Sequence, residues 1–259
     1  MDKEIIVEFE GVSMTYHTRD GEILALKDLN LSIYDEEILG IVGPSGCGKS
    51  TLLSLAAGLL KATKGKVIVN DREVTNPLKN IGYMFQRDQL FDWRNIFDNV
   101  VLGLELQNRL DEDSSREARE LLDSYGLGDF LNSYPNQLSG GMRQRVALIR
   151  TLLLKPDIFL LDEPFSALDY QTRLAISDEV GLVLREKKKT AILVTHDIAE
   201  AISLCDRIAI MSTRPGRIKD IIVIKLSCDE NPSPIKLREA PEFREYFNKI
   251  WKELDIHVK

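Results

Sequence analysis

Nine consecutive residues carry the clearest chemical signal in the chain: GPSGCGKST, that is Gly43, Pro44, Ser45, Gly46, Cys47, Gly48, Lys49, Ser50 and Thr51. Glycines at 43, 46 and 48 let the backbone fold back so that successive N–H groups point at phosphate oxygens. Lys49 supplies a mobile cation for β- and γ-phosphates, and the Ser50 hydroxyl is a ligand suited to Mg²⁺. An apolar run, ILGIV, enters the loop and the helix-forming run STLLSLAAGLL leaves it. The positive end of a helix dipole therefore adds to the same place. Cys47 is a small filler inside the loop. The segment is expected to bind the phosphates of a nucleotide.

A second element turns binding into chemistry. IFLLDEPFSALD ends an apolar run in two adjacent acids, Asp162 and Glu163. Asp162, at the strand end, can hold the Mg²⁺ shell, while Glu163 points differently and can polarise an attacking water as general base. No NKxD guanine-reading motif occurs, and no acceptor pocket with a lid, as a small-molecule kinase needs, can be placed. ATP hydrolysis is the expected reaction. A third element, LSGGMRQR (Leu138 to Arg145), starts another helix. Ser139 is a natural N-cap, and Gly140 and Gly141 leave first-turn amides bare. That helix tip is a second anion-binding end without a phosphate loop of its own. Two phosphate-facing surfaces on one chain imply a head-to-tail dimer in which each tip completes the other copy's ATP site.

These residues need a scaffold, and 259 residues allow one large α/β domain or a core with an inserted lobe. ILGIV (38–42), IFLL (158–161), AILV (191–194) and IAIM (208–211) are short, continuous apolar runs. They fit strands buried on both faces of a parallel sheet. Ligands bind at the carboxyl ends of such strands, where polar or glycine-rich residues follow three of the four runs. IIVEFE and KVIVND are expected in a smaller antiparallel layer. From about Arg87 to Pro156 strand-like runs give way to helical spacing, as in Ala118, Leu121, Leu122 and Tyr125. The expected organisation is a core of residues 1–86 and 157–225, a helical subdomain at about 87–156 and a helical tail over 226–259. The tail begins with a polar linker, SCDENPSPIK. Its helix should place Phe243, Phe247, Ile250, Trp251 and Leu254 on one face packed against the core.

Composition narrows the functional classes. Hydrophobic residues make up 44% and charged residues 29%, the balance of a soluble globular protein. No apolar run approaches the ~18–20 residues of a membrane-spanning helix, and the N-terminus lacks the apolar core of a signal peptide. A cytosolic location is expected, with any membrane role exercised through a partner. The net charge of −7 argues against a nucleic-acid footprint. The basic run Lys187 to Lys189 reads as a solvated helix end. Cys47, Cys205 and Cys228 have no metal-ligand or disulfide spacing, which suits a reducing compartment.

Six motifs stand in one order: the loop at 43–51, Gln86 after IGYMF, LSGGMRQR, IFLLDEP, SALD (166–169) and His196 in ILVTHD. Over about residues 5–220 the chain thereby resembles the ATPases of ABC transporters. The resemblance implies a P-loop NTPase core, a mostly parallel sheet with an N-terminal antiparallel β layer, plus an inserted α-helical subdomain. It implies that Tyr16 stacks on adenine and that Gln86 touches Mg²⁺ or the attacking water and senses the membrane partner. Asp169 should cross the dimer interface, and His196 should hold the γ-phosphate or a water bound to Glu163. MFQRDQLFDWRNIFDNV, with Trp93 and Arg94, and RPGRI (214–218) resemble the nitrate/sulfonate/taurine importer family. That family usually shows Pro where this chain has Asp92. On this resemblance residues 87–95 receive the coupling helix of a separate permease. The chain then sits on the cytoplasmic membrane face, and an extracellular or periplasmic solute-binding protein supplies a small anion or related molecule. An exporter of the lipid or lipoprotein type shares every motif up to His196 and stays open as an alternative. A soluble non-transport ABC ATPase would need a coiled-coil insertion, a second ATPase domain or a basic face, and the sequence has none.

Overall fold

The computed structural model describes residues 4–19, 21–227 and 234–254; Cys228 and most of the expected linker lie outside them. Two long strands, β1 (Ile5–Thr18) and β2 (Gly21–Tyr34), pair antiparallel. β3 (Ile38–Val42) leads through a loop into α1 (Lys49–Ala56). β4 (Lys64–Val69) and the short β5 (Arg72–Glu73) join the first two strands in an antiparallel sheet of order β2-β1-β4-β5. After β6 (Ile81–Met84) come three helices, α2 (Ile96–Leu106), α3 (Glu112–Ser124) and α4 (Gly140–Leu153). Strands and helices then alternate: β7 (Ile158–Asp162), α5 (Tyr170–Glu186), β8 (Thr190–Val194), α6 (Ile198–Leu204) and β9 (Arg207–Met211). β10 (Ile218–Val223), α7 (Pro234–Leu237) and α8 (Phe243–Glu253) complete the described chain.

The main sheet has the order β10-β9-β3-β8-β7-β6. All its pairings are parallel except that of β10, which lies antiparallel on β9 at the edge. Alternation along each strand divides its side chains between two apolar cores. Ile38, Phe159, Leu161, Leu193 and Ile208 face one core, which also takes Val100, Leu122 and Leu148 from the helices after β6. Leu39, Ile41, Leu160, Ile192 and Ala209 face the other, shared with α1 and the antiparallel sheet. All five residues of β3, β7 and β8 are buried for that reason. The result is the expected P-loop NTPase fold, with an antiparallel layer at the N-terminus.

Short polar residues start the helices that flank the functional loops. The side chains of Asn95, Asp111, Ser139, Asp169 and Asp197 accept first-turn amides of α2, α3, α4, α5 and α6. The tail departs from expectation in two places. Pro234–Leu237, whose first three residues were expected in the linker, is helical and lies against α5 and α6, with the Ile235 amide donating to Asp178 Oδ1 at 3.0 Å. On α8, Ile250 is fully buried in the core, and Phe243, Phe247 and Leu254 pack on it. Trp251 is 40% exposed instead, because it sits one residue beyond Ile250 around the helix and turns outward over Phe247. Among the described residues no helix is long and apolar enough to cross a membrane.

Candidate active site

The phosphate loop is closed by bonds of its own. Gly46 (φ +72°) and Gly48 (φ +111°) are in the left-handed region, which side chains with a Cβ rarely adopt. Gly48 is also the N-cap of α1, so the first helical amides face into the loop. Lys49 Nζ donates to the carbonyls of Gly43 at 2.8 Å and Pro44 at 3.1 Å, which spans the loop with its charge. Cys47 is buried beneath, and burial pushes its thiol up, so it remains a neutral plug.

Asp162 ends β7 beside this loop and is buried. Loss of solvent raises its carboxyl pKa, and the neighbouring Glu163 adds to the rise. A hydrogen bond with the Ser50 hydroxyl and the charge of Lys49 oppose it. Glu163 has φ +50°, and its amide donates to the Val194 carbonyl at 2.8 Å. That backbone turn separates the two carboxylates despite their adjacency. Gln86 Nε2 donates to Glu163 Oε2 at 3.3 Å, and His196 Nδ1 lies 3.3 Å from the same oxygen. Gln86 and His196 each sit two residues past the ends of β6 and β8, the strands on either side of β7. Two side chains distant in sequence thus meet at one carboxylate. His196 is 61% exposed and Glu163 only 16%, so the histidine stands at the open edge. A cleft of about 430 Å³ joins Tyr16, Ser45, Lys49, Ser50, Thr51, Gln86, Asp162 and Glu163. Tyr16 forms its wall, with its hydroxyl 3.1 Å from Thr51 Oγ1.

Ser139, Gly140, Gly141 and Asp169 do not line that cleft. The Ser139 hydroxyl accepts the Met142 amide at 3.3 Å. A Cβ on Gly140 would find only Arg143 Nη2, at 4.0 Å, so the helix tip is open; at Gly141 it would lie 3.1 Å from the Ala167 carbonyl. Asp169 Oδ1 accepts the Thr172 amide at 3.0 Å, and bonds from the Thr172 side chain and amide hold its carboxyl below the usual range.

Sequence reasoning missed the residues that join these parts. Gln144 is buried and donates Nε2 to the Glu163 carbonyl at 2.9 Å and to Ser166 Oγ at 3.2 Å. Its Oε1 accepts the Ala167 amide at 2.7 Å. The available signal was periodic: Gln144, Leu148 and Thr151 recur at i, i+4, i+7 on the buried face of α4. Gln144→Leu keeps the volume but leaves the Ala167 amide without its acceptor. It should cost about 1–3 kcal/mol of stability and lower ATP turnover about tenfold by loosening Glu163. Urea melts and steady-state hydrolysis measure the two effects, and parental turnover would deny Gln144 this positioning role.

The segment after β6 is tied to α4 as well. Arg143 Nε donates to Asp88 Oδ2 at 3.0 Å, and Arg150 donates to the carbonyls of Asp88 at 2.7 Å and Gln89 at 2.9 Å. Asn99, fully buried, accepts the Phe91 amide at 2.8 Å and donates to the carbonyls of Phe91, Arg94 and Asn95. These bonds make a fixed loop that presents Trp93, 75% exposed, against the ring of Phe91.

A glycine loop after β3, paired acids at the end of β7 and polar side chains just past the two flanking strands define a P-loop nucleoside triphosphatase. The family profile described as ABC transporter matches residues 26–166. The chain belongs to the ABC transporter family, as one of its ATP-hydrolysing, ATP-binding subunits. It is 45% identical over 246 residues to the uncharacterized ABC transporter ATP-binding protein YtlC of Bacillus subtilis, covering 95% of this chain and 94% of that protein. It is 43% identical over 230 residues to the aliphatic sulfonates import ATP-binding protein SsuB of Bacillus licheniformis, covering 89% and 87%. Among solved structures, the dimeric post-hydrolysis state of the ATP-binding cassette MJ0796, bound to ADP and Pi, aligns with a TM-score of 0.77 at 33% identity. That alignment covers 85% of this chain and 99% of that one.

Proposed function

We propose that this chain is the motor subunit of an importer, coupling ATP hydrolysis to uptake of a small anion of the sulfonate, nitrate or taurine kind. The observation that carries the motor reading is the convergence of Gln86 and His196 on Glu163 Oε2 beside the phosphate loop. ATP phosphates lie on the loop amides from Gly43 to Thr51, with Lys49 turned from its two carbonyls to the β- and γ-oxygens, and Tyr16 against the base. Glu163 takes the proton of the attacking water. Gln86 and His196 hold that water and its carboxylate in line, and His196 reaches the γ-phosphate. The residues also fit Mg²⁺: Ser50 hydroxyl and Asp162 carboxylate are in contact, and a cation there would offset the desolvation that raises the Asp162 pKa. Gln86 is a third oxygen donor. Mg²⁺ takes few protein oxygens beside phosphates and water, and when bound it neutralises phosphate charge.

Ser139, Gly140, Gly141 and Asp169 are set apart from the chain's own cleft, which supports a role in the cleft of a second copy. The MJ0796 cassette is described as dimeric with ADP and Pi, in keeping with that arrangement. The γ-phosphate then bridges two copies, and its loss lets them separate.

Membrane coupling falls to the loop around Trp93. A separate permease inserts its coupling segment there and holds the chain peripherally on the cytoplasmic face, while a solute-binding protein delivers cargo outside. The SsuB likeness supports import of sulfonate-like anions. Trp93→Ala should lower ATP-driven uptake about tenfold, as removal of an aromatic anchor does, with basal hydrolysis of the isolated chain within about twofold. Unaltered uptake would count against docking at this loop. Direction and cargo are tested by uptake of labelled alkanesulfonate, nitrate and taurine in cells with and without the gene. Gene-dependent accumulation of one of them is expected; loss of efflux instead would overturn the import reading.

A further inference from the structure

The turn between β9 and β10 carries RPGRI, a segment the ATPase chemistry above does not use, and the structure seats it on the phosphate loop. Arg214 donates from both Nε (3.1 Å) and Nη2 (3.0 Å) to one acceptor, the Gly46 carbonyl. Two residues on, Gly216 packs so closely that a Cβ would lie 2.1 Å from the Cys47 carbonyl oxygen. The Gly216 amide donates to the Ala25 carbonyl at 2.8 Å, and its own carbonyl accepts the Lys27 amide at 3.0 Å, which stitches the turn to β2. The turn is braced internally too, since Ser212 Oγ accepts the Arg217 amide at 3.1 Å.

Arg214 acts on the Gly46–Cys47 peptide unit, and Gly216 lies against the next one along the loop. The carbonyl of the first unit, Gly46, is held by Arg214; its amide, Cys47, donates to the Pro44 carbonyl at 3.3 Å. The left-handed turn at Gly46 is thus held at both ends by bonds within the chain, and a loop held in its binding shape leaves less ordering to binding. Arg214 also lines the same cleft as Lys49, Ser50 and Tyr16. A guanidinium has five N–H donors, and the Gly46 carbonyl takes two of them. The rest are not used on that carbonyl, and the delocalised charge sits in the lining of the cleft.

We propose that Arg214 sets nucleotide affinity: it locks the phosphate loop in its binding shape and places a permanent cation beside the phosphate chain. This rests on the reading of residues 43–51 as the nucleotide site. The test titrates a fluorescent ATP analogue, and ADP and adenosine as competitors, into the full chain with Mg²⁺, alongside steady-state hydrolysis. Arg214→Gln should weaken ATP and ADP about tenfold, the worth of one charge-assisted interaction, and raise KM in step. The loss in kcat should stay within about threefold, because Glu163 is untouched. Adenosine affinity should not move. Arg214→Lys should fall between parent and Gln, keeping the charge and losing the fork. A merely structural role would lower the unfolding midpoint without nucleotide and hit kcat and KM alike, with no graded recovery by Lys; that pattern overturns the inference. Should Arg214→Gln not fold, the Lys variant decides, and parental affinity there overturns it. Lys49→Ala separates the levels. If it loses nucleotide while Arg214→Gln binds normally, only the Arg214 inference falls; if it too binds normally, the reading of the site falls with it.

Discussion

Glu163→Gln should bind ATP as the parent does and hydrolyse it about a thousandfold more slowly, the scale of a lost general base. The substitution preserves size and shape, so the contacts at the Glu163 carbonyl and amide, to Gln144 and Val194, stay in place. What goes is the oxygen that can accept a proton and on which Gln86 and His196 both converge at 3.3 Å. Because the phosphate loop and Lys49 are untouched, binding and turnover should come apart. Single-turnover hydrolysis and nucleotide titration on the same preparation read both. Parental turnover would remove Glu163 from the proton transfer.

Lys49→Ala should produce the opposite split, a loss of nucleotide affinity of at least about a hundredfold, because charge-assisted bonds to two phosphates are each worth about 1.5–3 kcal/mol. The side chain already bridges the carbonyls of Gly43 and Pro44, so its removal also relaxes the loop. Equilibrium titration with ATP measures it. Affinity equal to that of the parent would take the loop out of nucleotide binding.

Local signals were the readable ones. A loop that must turn left-handed at Gly46 and Gly48 announces itself by its glycines. Strands buried on both faces, such as β3 and the first four residues of β7, are apolar without interruption. The Ser139 cap is a short polar residue just ahead of a helical run. Partnerships across the fold leave no such mark. The Arg214 guanidinium and the Gly46 carbonyl are 168 residues apart in sequence, and a basic residue in a turn reads as solvated. Gln144 hides among arginines, and its burial follows from where α4 lies rather than from its neighbours in sequence. In the tail, helical spacing identified α8, but the turn of the helix that puts Trp251 outward depends on what Ile250 meets.

The proposed motor requires a nucleotide held between the loop of one chain and the Ser139 helix tip of another. Light scattering of the Glu163→Gln variant, with and without ATP and Mg²⁺, tests it most directly. The expected result is a doubling of mass on adding ATP, abolished when Ser139 is replaced by a bulky residue such as Phe. A mass that stays at one chain under saturating, uncleaved ATP would contradict it.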